Sequence, residues 1–222
     1  MADFSELEGE EVELLREVNR VQNLQEHLPE LLPSTFDSEG RLFHLTYCTA
    51  AMLTPRLTLR MFQIFETNMK EHYEAITWGW NRNEKMKELF HPASRFIIAS
   101  KNSIEDPNLQ LAIDPSDVVA FTIYCFDWDD DDEPEHPVLY CYELHVDATS
   151  QKLGLGHLLM SLLVAAADKL KMWKVMLTCF KRNEVAMNFY RQCGFLVDSN
   201  SPSSCGHSKE DYEILSNKPL LK

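Results

Sequence analysis

The most constraining feature of this sequence is a strand–helix–strand pattern over residues 138–180. Residues 138–146 and 174–180 are apolar runs of strand length. The intervening residues 156–170 are rich in Leu, Ala and Val on nearly all sides, as in a buried helix. Two strands joined through a helix lie parallel, with a right-handed crossover. The pattern therefore predicts an α/β fold in which at least part of the sheet is parallel.

The remaining pattern predicts one α/β domain at residues 34–222, with a mixed, partly antiparallel central sheet flanked by helices. Outside the strand–helix–strand pattern, the predicted strands are 42–48, 95–100, 118–127 and 212–215. The predicted helices there are 54–77, 83–90 and 184–193. Residues 34–53 otherwise indicate irregular structure. Residues 5–28 predict one acidic amphipathic helix, within an N-terminal segment, 1–33, that packs on the domain.

The charge balance restricts the partners of this chain. Thirty-five acidic residues against twenty-one Lys and Arg give a net charge of −14, which disfavours direct nucleic-acid binding and favours a basic partner. No apolar run approaches the ~18 residues of a membrane helix, so no membrane association is expected. The six cysteines form no Cys-x-x-Cys pair and the histidines lack ligand spacing, which indicates reduced thiols and no metal.

A glycine pair marks the candidate cofactor site. Gly154 and Gly156 lie between a predicted strand and a predicted helix, where backbone N–H groups and the helix dipole suit a pyrophosphate. The dinucleotide fingerprint needs a third glycine where Leu159 stands, and the Gly-Lys-Ser/Thr of a P-loop is absent. A plain tight turn is the alternative for an isolated Gly-x-Gly.

The residues around the glycines resemble a known superfamily. The segment Gln151–Gly156 is similar to the Gln/Arg-x-x-Gly-x-Gly/Ala signature of GNAT acetyltransferases, and Tyr190 with Gly194-Phe195 is similar to their common ending. This resemblance implies acetyl-CoA as co-substrate. It implies backbone pairing of the pantetheine arm, pyrophosphate contacts from the glycine loop and a side-chain hydrogen bond from Asn183. The implied cofactor residues are Leu144, His145, Val146, Lys152, Leu153, Gly154, Leu155, Gly156, His157 and Asn183.

A narrower resemblance concerns the substrate. The segments 68–73 (Asn-Met-Lys-Glu-His-Tyr), 78–80 (Trp-Gly-Trp) and 140–143 (Tyr-Cys-Tyr-Glu) are similar to NatD, the histone-specific N-alpha-acetyltransferases. This implies acetylation of the N-terminal serine of histones that begin Ser-Gly-Arg-Gly. It also implies cytoplasmic and nuclear residence; we expect a monomer. Two alternatives remain: a GNAT enzyme for lysine or small amines, and a non-catalytic acyl-CoA-binding or histone-binding module.

Three residues are candidates for the chemistry. The NatD resemblance implies a catalytic role for Glu143, which we interpret as the base that takes a proton from the amine. A solvent-facing strand residue is the alternative. Tyr142 is interpreted as a catalytic and substrate-contacting residue, and Tyr190 as a candidate for the acid that protonates the leaving thiolate. Alternation places Tyr140 and Tyr142 on one strand face and Glu143 on the other, unless a bulge intervenes.

The remaining candidates bind the peptide. In the acidic run 127–135, a calcium loop is excluded because Asp132 replaces the required glycine and Val138 the required glutamate. Solvated charge is the default for such a run, and the resemblance implies that its start binds the histone arginine. The implied substrate residues are Tyr73, Trp78, Asp127, Trp128, Asp129, Tyr140, Tyr142, Thr178 and Tyr212, although core packing remains open for Trp78 and Tyr140.

Overall fold

A mixed eight-stranded sheet forms the centre of the described fold. The structure, a computed structural model, describes residues 9–102, 113–130 and 135–217. Within them, the strands follow the order β1-β2-β3-β4-β5-β6-β8-β7. Their bounds are β1 Thr35–Ser38, β2 Arg41–Thr49, β3 Arg95–Ser100, β4 Val118–Trp128, β5 Pro137–Val146, β6 Val175–Phe180, β7 Leu196–Val197 and β8 Tyr212–Asn217.

The four helices that follow residue 50 in the described part of the chain begin and end close to their predicted positions. The helix bounds are α1 Glu10–Arg20, α2 Leu24–His27, α3 Pro55–Glu74, α4 Arg82–Leu89, α5 Leu155–Lys169 and α6 Glu184–Gln192. Thr54 caps α3 by accepting from the Leu57 N–H at 3.3 Å, and Pro55 occupies the first turn. Within the described residues, none of these helices has both the length and the apolar character needed to cross a bilayer.

The predicted parallel connection is confirmed. Leu139–Cys141 of β5 pairs in parallel with Val175–Leu177 of β6, and α5 provides the crossover. The strands β1 to β4 pair antiparallel in sequence order, and β8 pairs antiparallel with β6. The predicted mixed, partly antiparallel α/β sheet therefore matches the structure.

The described residues divide into two compact units. The N-terminal unit comprises residues 23–124 and 142–160, and the C-terminal unit comprises 9–22, 125–141 and 161–217. In the N-terminal unit, α3 buries the large side chains of Leu57, Met61, Phe62 and Phe65. In the C-terminal unit, Asn19 of α1 donates to the Phe126 carbonyl at 3.2 Å. The predicted domain boundary at residue 33 stays a prediction.

The structure corrects two predicted segments. The single helix predicted over 5–28 is wrong within the described residues, because Val21 is extended (φ −67°, ψ 116°) between α1 and α2. Asn23 accepts from the Gln25 and Glu26 N–H groups and so starts a second helix. Residues 5–8 lie outside the described part. The segment 34–53 is also more regular than predicted, since β1 forms a hairpin with β2.

Candidate active site

A hydrogen-bonded pair on β5 forms the centre of the candidate site in the N-terminal unit. The His145 Nε2 atom lies 2.8 Å from a Glu143 carboxylate oxygen. Only 11% of the Glu143 side chain and 4% of the His145 side chain are exposed. The two residues are two positions apart on a strand, so their side chains share one face. The carboxylate is therefore held in one orientation by a buried imidazole.

The imidazole is fixed on its other sides as well. The rings of Phe65 on α3 and Phe121 on β4 both lie 5.4 Å from the His145 ring, centroid to centroid. The Asn68 amide nitrogen lies 3.4 Å from His145 Nδ1 and also donates to the Val146 carbonyl at 3.4 Å. Thr122 donates to the Glu143 carbonyl at 2.9 Å, which ties β5 to β4 at this point.

The glycine loop follows the same strand. Lys152 and Gly154 both have left-handed backbone angles (φ 64° and 76°), and α5 begins at Leu155. Gln151, Lys152, Gly154 and His157 are exposed, while Leu155 is buried. The first-turn N–H groups of a helix have no intrahelical acceptor. The loop thus presents backbone donors and the cation of Lys152, a combination that fits a pyrophosphate group.

An ion pair anchors the turn between β5 and this loop. The Arg60 guanidinium on α3 lies 2.7 Å from the Asp147 carboxylate, and Asp147 also accepts from the Thr149 N–H and hydroxyl. Burial of Asp147 opposes its ionisation, but the bonds from Thr149 and Arg60 outweigh burial and lower its pKa. The start of the glycine loop is therefore fixed to α3.

An aromatic cluster contains two of the predicted peptide-binding residues. The Tyr73 ring is buried and lies 6.2 Å from Phe65 and 6.4 Å from Trp78, centroid to centroid. The Lys85 ammonium sits over the Tyr73 ring at 4.4 Å. Trp78 is 50% exposed and Tyr142, on β5, is 41% exposed. Because Phe65 also contacts His145, ring contacts extend from Trp78 to the Glu143–His145 pair.

The C-terminal unit groups three other predicted residues. The Tyr140 and Thr178 hydroxyls lie 2.6 Å apart. Thr178 pairs with Ile214 and Phe180 with Tyr212, so Tyr212 lies on the strand next to Thr178. Burial raises the pKa of Tyr140 to about 12, against the opposing effect of the Thr178 hydrogen bond. Tyr140 is therefore a neutral hydrogen-bonding group at physiological pH.

The predicted arginine-binding residues have different surroundings. Asp127 is half-buried near the end of β4 and accepts from the Trp128 N–H at 3.0 Å. The Trp128 side chain is buried. One Asp129 oxygen accepts from the backbone N–H groups of Glu135 and His136, at 3.1 and 2.9 Å, and closes the acidic loop. Residues 131–134 of the run lie outside the described part.

A polar cluster supports the strand that carries Tyr212. Glu213 accepts from the Ser201 and Ser203 hydroxyls and forms an ion pair with Lys181 at 3.2 Å. Burial opposes the ionisation of Glu213, but these bonds outweigh burial and lower its pKa. The polar segment after β7 is thereby attached to β8.

The two remaining candidates lie on and beside α6. The Asn183 side-chain oxygen accepts from the Ala186 N–H at 3.1 Å and caps the helix. Tyr190 is half-buried, with its ring 6.1 Å from the Phe195 ring. The cap is a structural use of Asn183; the cofactor roles of Asn183 and Tyr190 stay predictions.

The structure thus gathers the predicted residues in two sets. The N-terminal unit holds Glu143, His145, Tyr73, Trp78 and the glycine loop, and the C-terminal unit holds Tyr140, Thr178, Tyr212 and Asp127. Sequence reasoning assigned only the backbone of His145 to the site and missed its side chain, together with Asn68. The Glu-x-His spacing on a strand was the available signal. Within the described residues, no group of three or more His, Cys, Asp or Glu side chains is arranged to hold a metal ion.

Comparison with known proteins identifies the family. The family model described as "Acetyltransferase (GNAT) family" matches residues 61–195, more than half of the chain. The match includes the glycine loop, the Glu143–His145 pair and Tyr190.

Solved structures share the fold at low identity. The chain is 14% identical to a structure of the NatC complex bound to Gag peptide and CoA, covering 80% of this chain and 99% of that one, with a TM-score of 0.51. It is 13% identical to Arabidopsis thaliana NAA60 in complex with a bisubstrate analogue, covering 78% and 97%, with a TM-score of 0.52. A match to a nourseothricin acetyltransferase structure covers 58% of this chain and only 66% of that chain, at 18% identity and a TM-score of 0.40.

Proposed function

The chain belongs to the GNAT acetyltransferase family, and from this premise we propose that it acetylates the N-terminal serine amine of histones that begin Ser-Gly-Arg-Gly. The acetyl donor is acetyl-CoA. The amine attacks the thioester directly while both substrates are bound. The proposal extends the family assignment to one substrate class, which the resemblance of 68–73, 78–80 and 140–143 to NatD supports.

The observation that carries the proposal is the hydrogen bond between Glu143 and His145. A peptide α-amine has a pKa near 8, so a large fraction is protonated at pH 7 and must lose a proton before it attacks. Glu143, held in one orientation and 11% exposed, accepts that proton directly or through a water. A solvated strand carboxylate would not need a buried imidazole partner.

The cofactor loop fits the donor substrate. Acetyl-CoA supplies an activated acetyl thioester, a diphosphate and a pantetheine arm. The left-handed turn at Lys152 and Gly154 and the exposed start of α5 suit the diphosphate. We assign pantetheine contacts to the backbone of Leu144–Val146. In this segment the Val146 carbonyl already accepts a hydrogen bond from the Asn68 amide. Asn183 and Tyr190 are assigned a cofactor hydrogen bond and proton donation to the leaving thiolate.

A covalent acyl-enzyme is not part of the proposal. Cys141 and Cys179 are buried within β5 and β6. A nucleophilic cysteine needs a lowered pKa or an adjacent base, and it needs access to the substrate. Burial of both side chains therefore favours direct transfer from the thioester to the amine.

The charge of the chain supports a basic peptide substrate. A net charge of −14 attracts a histone tail at long range. Asp127 is assigned to the substrate arginine, and Tyr73, Tyr140, Tyr142, Thr178 and Tyr212 to the peptide. We also propose that the protein acts as a monomer in the cytoplasm and the nucleus, as the resemblance to NatD implies for its residence.

Mass spectrometry of acetylated peptides tests this function. The protein and acetyl-CoA are incubated with a Ser-Gly-Arg-Gly tail peptide and with an N-terminally blocked twin that contains lysines. Acetylation of the free α-amine alone supports the proposal. Acetylation of lysines in the blocked twin supports the lysine alternative, and binding of CoA without turnover on either peptide supports a non-catalytic module. Glu143→Gln is the matched negative control, with CoA affinity expected near the wild-type value.

A further inference from the structure

We infer that His145 is a positioning residue for Glu143, and that Asn68 selects the imidazole tautomer that can do so. The inference rests on the proposed role of Glu143 as base. In this arrangement, His145 donates its Nε2–H to the carboxylate, and the Asn68 amide donates to Nδ1. The His145 side chain acts through Glu143 and does not itself contact the peptide.

The hydrogen-bond partners determine the direction of each bond. The Val146 carbonyl can only accept, so the Asn68 atom 3.4 Å from it is the amide nitrogen, a donor. The same nitrogen faces His145 Nδ1 at 3.4 Å, so Nδ1 accepts. A neutral imidazole whose Nδ1 accepts carries its proton on Nε2. That proton points at the Glu143 carboxylate, 2.8 Å away.

The packing around the ring restricts its movement. Phe65 and Asn68 on α3, Phe121 on β4 and Glu143 on its own strand all face the imidazole. With 4% of its side chain exposed, His145 cannot turn toward solvent without displacing these neighbours. The direction of the Glu143 lone pair that accepts the amine proton is thus fixed by the rigidly held Nε2–H of His145. Charge-assisted hydrogen bonds of this kind are directional.

Two substitutions separate the hydrogen bond from the packing. His145→Phe retains an aromatic ring between Phe65 and Phe121 but removes the donor, and His145→Gln retains an N–H donor of similar reach. We expect His145→Phe to lower kcat about 10- to 100-fold, the loss of one hydrogen bond to a charged group. His145→Gln should recover most of that loss. The peptide KM and the CoA Kd should change less than threefold in both variants. His44→Phe, on β2, is the control for a strand histidine outside the pair.

A double substitution tests whether His145 acts through Glu143. If it does, His145→Phe added to Glu143→Gln lowers kcat no further than Glu143→Gln alone. A kcat of His145→Phe within twofold of wild type would overturn the inference. So would an independent, multiplicative loss in the double variant, because His145 would then act on its own.

A spectroscopic measurement gives an answer that needs no turnover. In protein labelled with 15N-histidine, NMR should show the His145 proton on Nε2, and Asn68→Leu should increase the fraction with the proton on Nδ1. A wild-type His145 protonated on Nδ1 would overturn the inference even if activity is normal. If the wild-type protein acetylates no peptide while NMR shows the Nε2 proton, the proposed substrate fails but the pair stands.

Discussion

The hydroxyls of Tyr140 and Thr178 lie 2.6 Å apart and join two parallel strands, β5 and β6, by a side-chain hydrogen bond. The backbone of the same strands pairs at Tyr140 and Met176, two residues before Thr178. The pair therefore adds a polar contact to a largely apolar part of the sheet. Since Tyr140 is also assigned to the substrate, its hydroxyl position has consequences for both stability and binding.

Removing one partner of this bond should cost more than removing both. Thr178→Val leaves the hydroxyl of the half-buried Tyr140 without this partner, and we expect the free energy of unfolding to fall by about 1–3 kcal/mol. The double variant Tyr140→Phe/Thr178→Val should lose less than the sum of the single variants, as urea denaturation of all four proteins would show. Strict additivity would mean that the two hydroxyls do not stabilise one another.

Tyr140 should also make the protein sensitive to alkali. Burial raises the pKa of Tyr140 to about 12, whereas an unfolded tyrosine ionises near pH 10. A raised pKa in the folded state leaves stability intact below the unfolded pKa, and stability is lost as pH rises toward the folded pKa. We expect the free energy of unfolding to fall between about pH 10 and 12, and less steeply in Tyr140→Phe. An equal slope in both proteins would rule Tyr140 out as the cause.

Asp127 should contribute to peptide affinity through the substrate arginine. We expect Asp127→Asn to raise the peptide Kd, and the loss to shrink when the arginine of the peptide becomes alanine. A hydrogen bond to a charged group is worth about 1.5–3 kcal/mol, which sets the size of the coupling. Calorimetry of two proteins with two peptides gives the cycle. If the affinity losses from Asp127→Asn and from the arginine-to-alanine change simply add, Asp127 does not bind the peptide arginine.

Asp129→Asn provides the comparison for that cycle. The Asp129 Oδ1 accepts from two backbone N–H groups of the acidic loop. A neutral amide oxygen accepts these bonds more weakly than a carboxylate, so we expect a lower thermal midpoint. A loss of peptide affinity that does not depend on the peptide arginine would fit a role of Asp129 in holding the acidic loop. A coupling to the arginine as large as that of Asp127 would instead assign both carboxylates to the substrate.

Much of the fold follows from local patterns. Thr54-Pro55 marked the start of α3, and the apolar run before Gly154 marked β5, because caps and strand periodicity act within a few residues. The break between α1 and α2 was missed because the apolar stripe continues across it, while Asn23 caps a new helix. β1 was missed because it is four residues long and forms a hairpin with β2.

The site was predictable only where its signal is local. The glycine loop was predicted from a motif and Glu143 from the NatD resemblance, and their roles stay predictions. Asn68, by contrast, lies 77 residues from His145, and Arg60 lies 87 residues from Asp147. No spacing rule joins residues that far apart, since tertiary packing brings them together. The burial of the Trp128 side chain likewise depends on tertiary packing.

The glycine loop should be sensitive to the backbone at Gly154. A Cβ there would meet the Phe36 ring at an ordinary 3.7 Å, so Gly154→Ala is costly because of φ +76° and not because of a clash. We expect a loss of about 1–2 kcal/mol in stability and weaker CoA binding. Gly156→Ala, inside α5, is the control and should not lower stability. Thermal denaturation and calorimetry with CoA measure both. Unchanged CoA affinity in Gly154→Ala would place the diphosphate elsewhere.

The buried ion pair between Lys174 and Asp198 in the C-terminal unit should be costly to break. The ammonium lies 3.0 Å from both carboxylate oxygens, and both side chains are 3% exposed. Lys174→Met leaves an uncompensated buried carboxylate, so we expect a loss of about 3–5 kcal/mol in urea denaturation. The double variant Lys174→Met/Asp198→Leu should recover part of it. Lys181→Met, which breaks the more exposed pair with Glu213, is the control and should cost less.

The same pair should appear in the acid dependence of stability. Burial opposes the ionisation of Asp198, but hydrogen bonds from Ser216 and Asn200 and the Lys174 ammonium outweigh burial and lower its pKa. A lowered pKa in the folded state gives stability above the unfolded value, near pH 4, which is lost as pH falls through the folded pKa. We expect the free energy of unfolding to fall below about pH 4, and less steeply in Lys174→Met. If stability falls equally steeply below pH 4 in wild type and in Lys174→Met, the Lys174 ammonium does not hold the Asp198 carboxylate ionised.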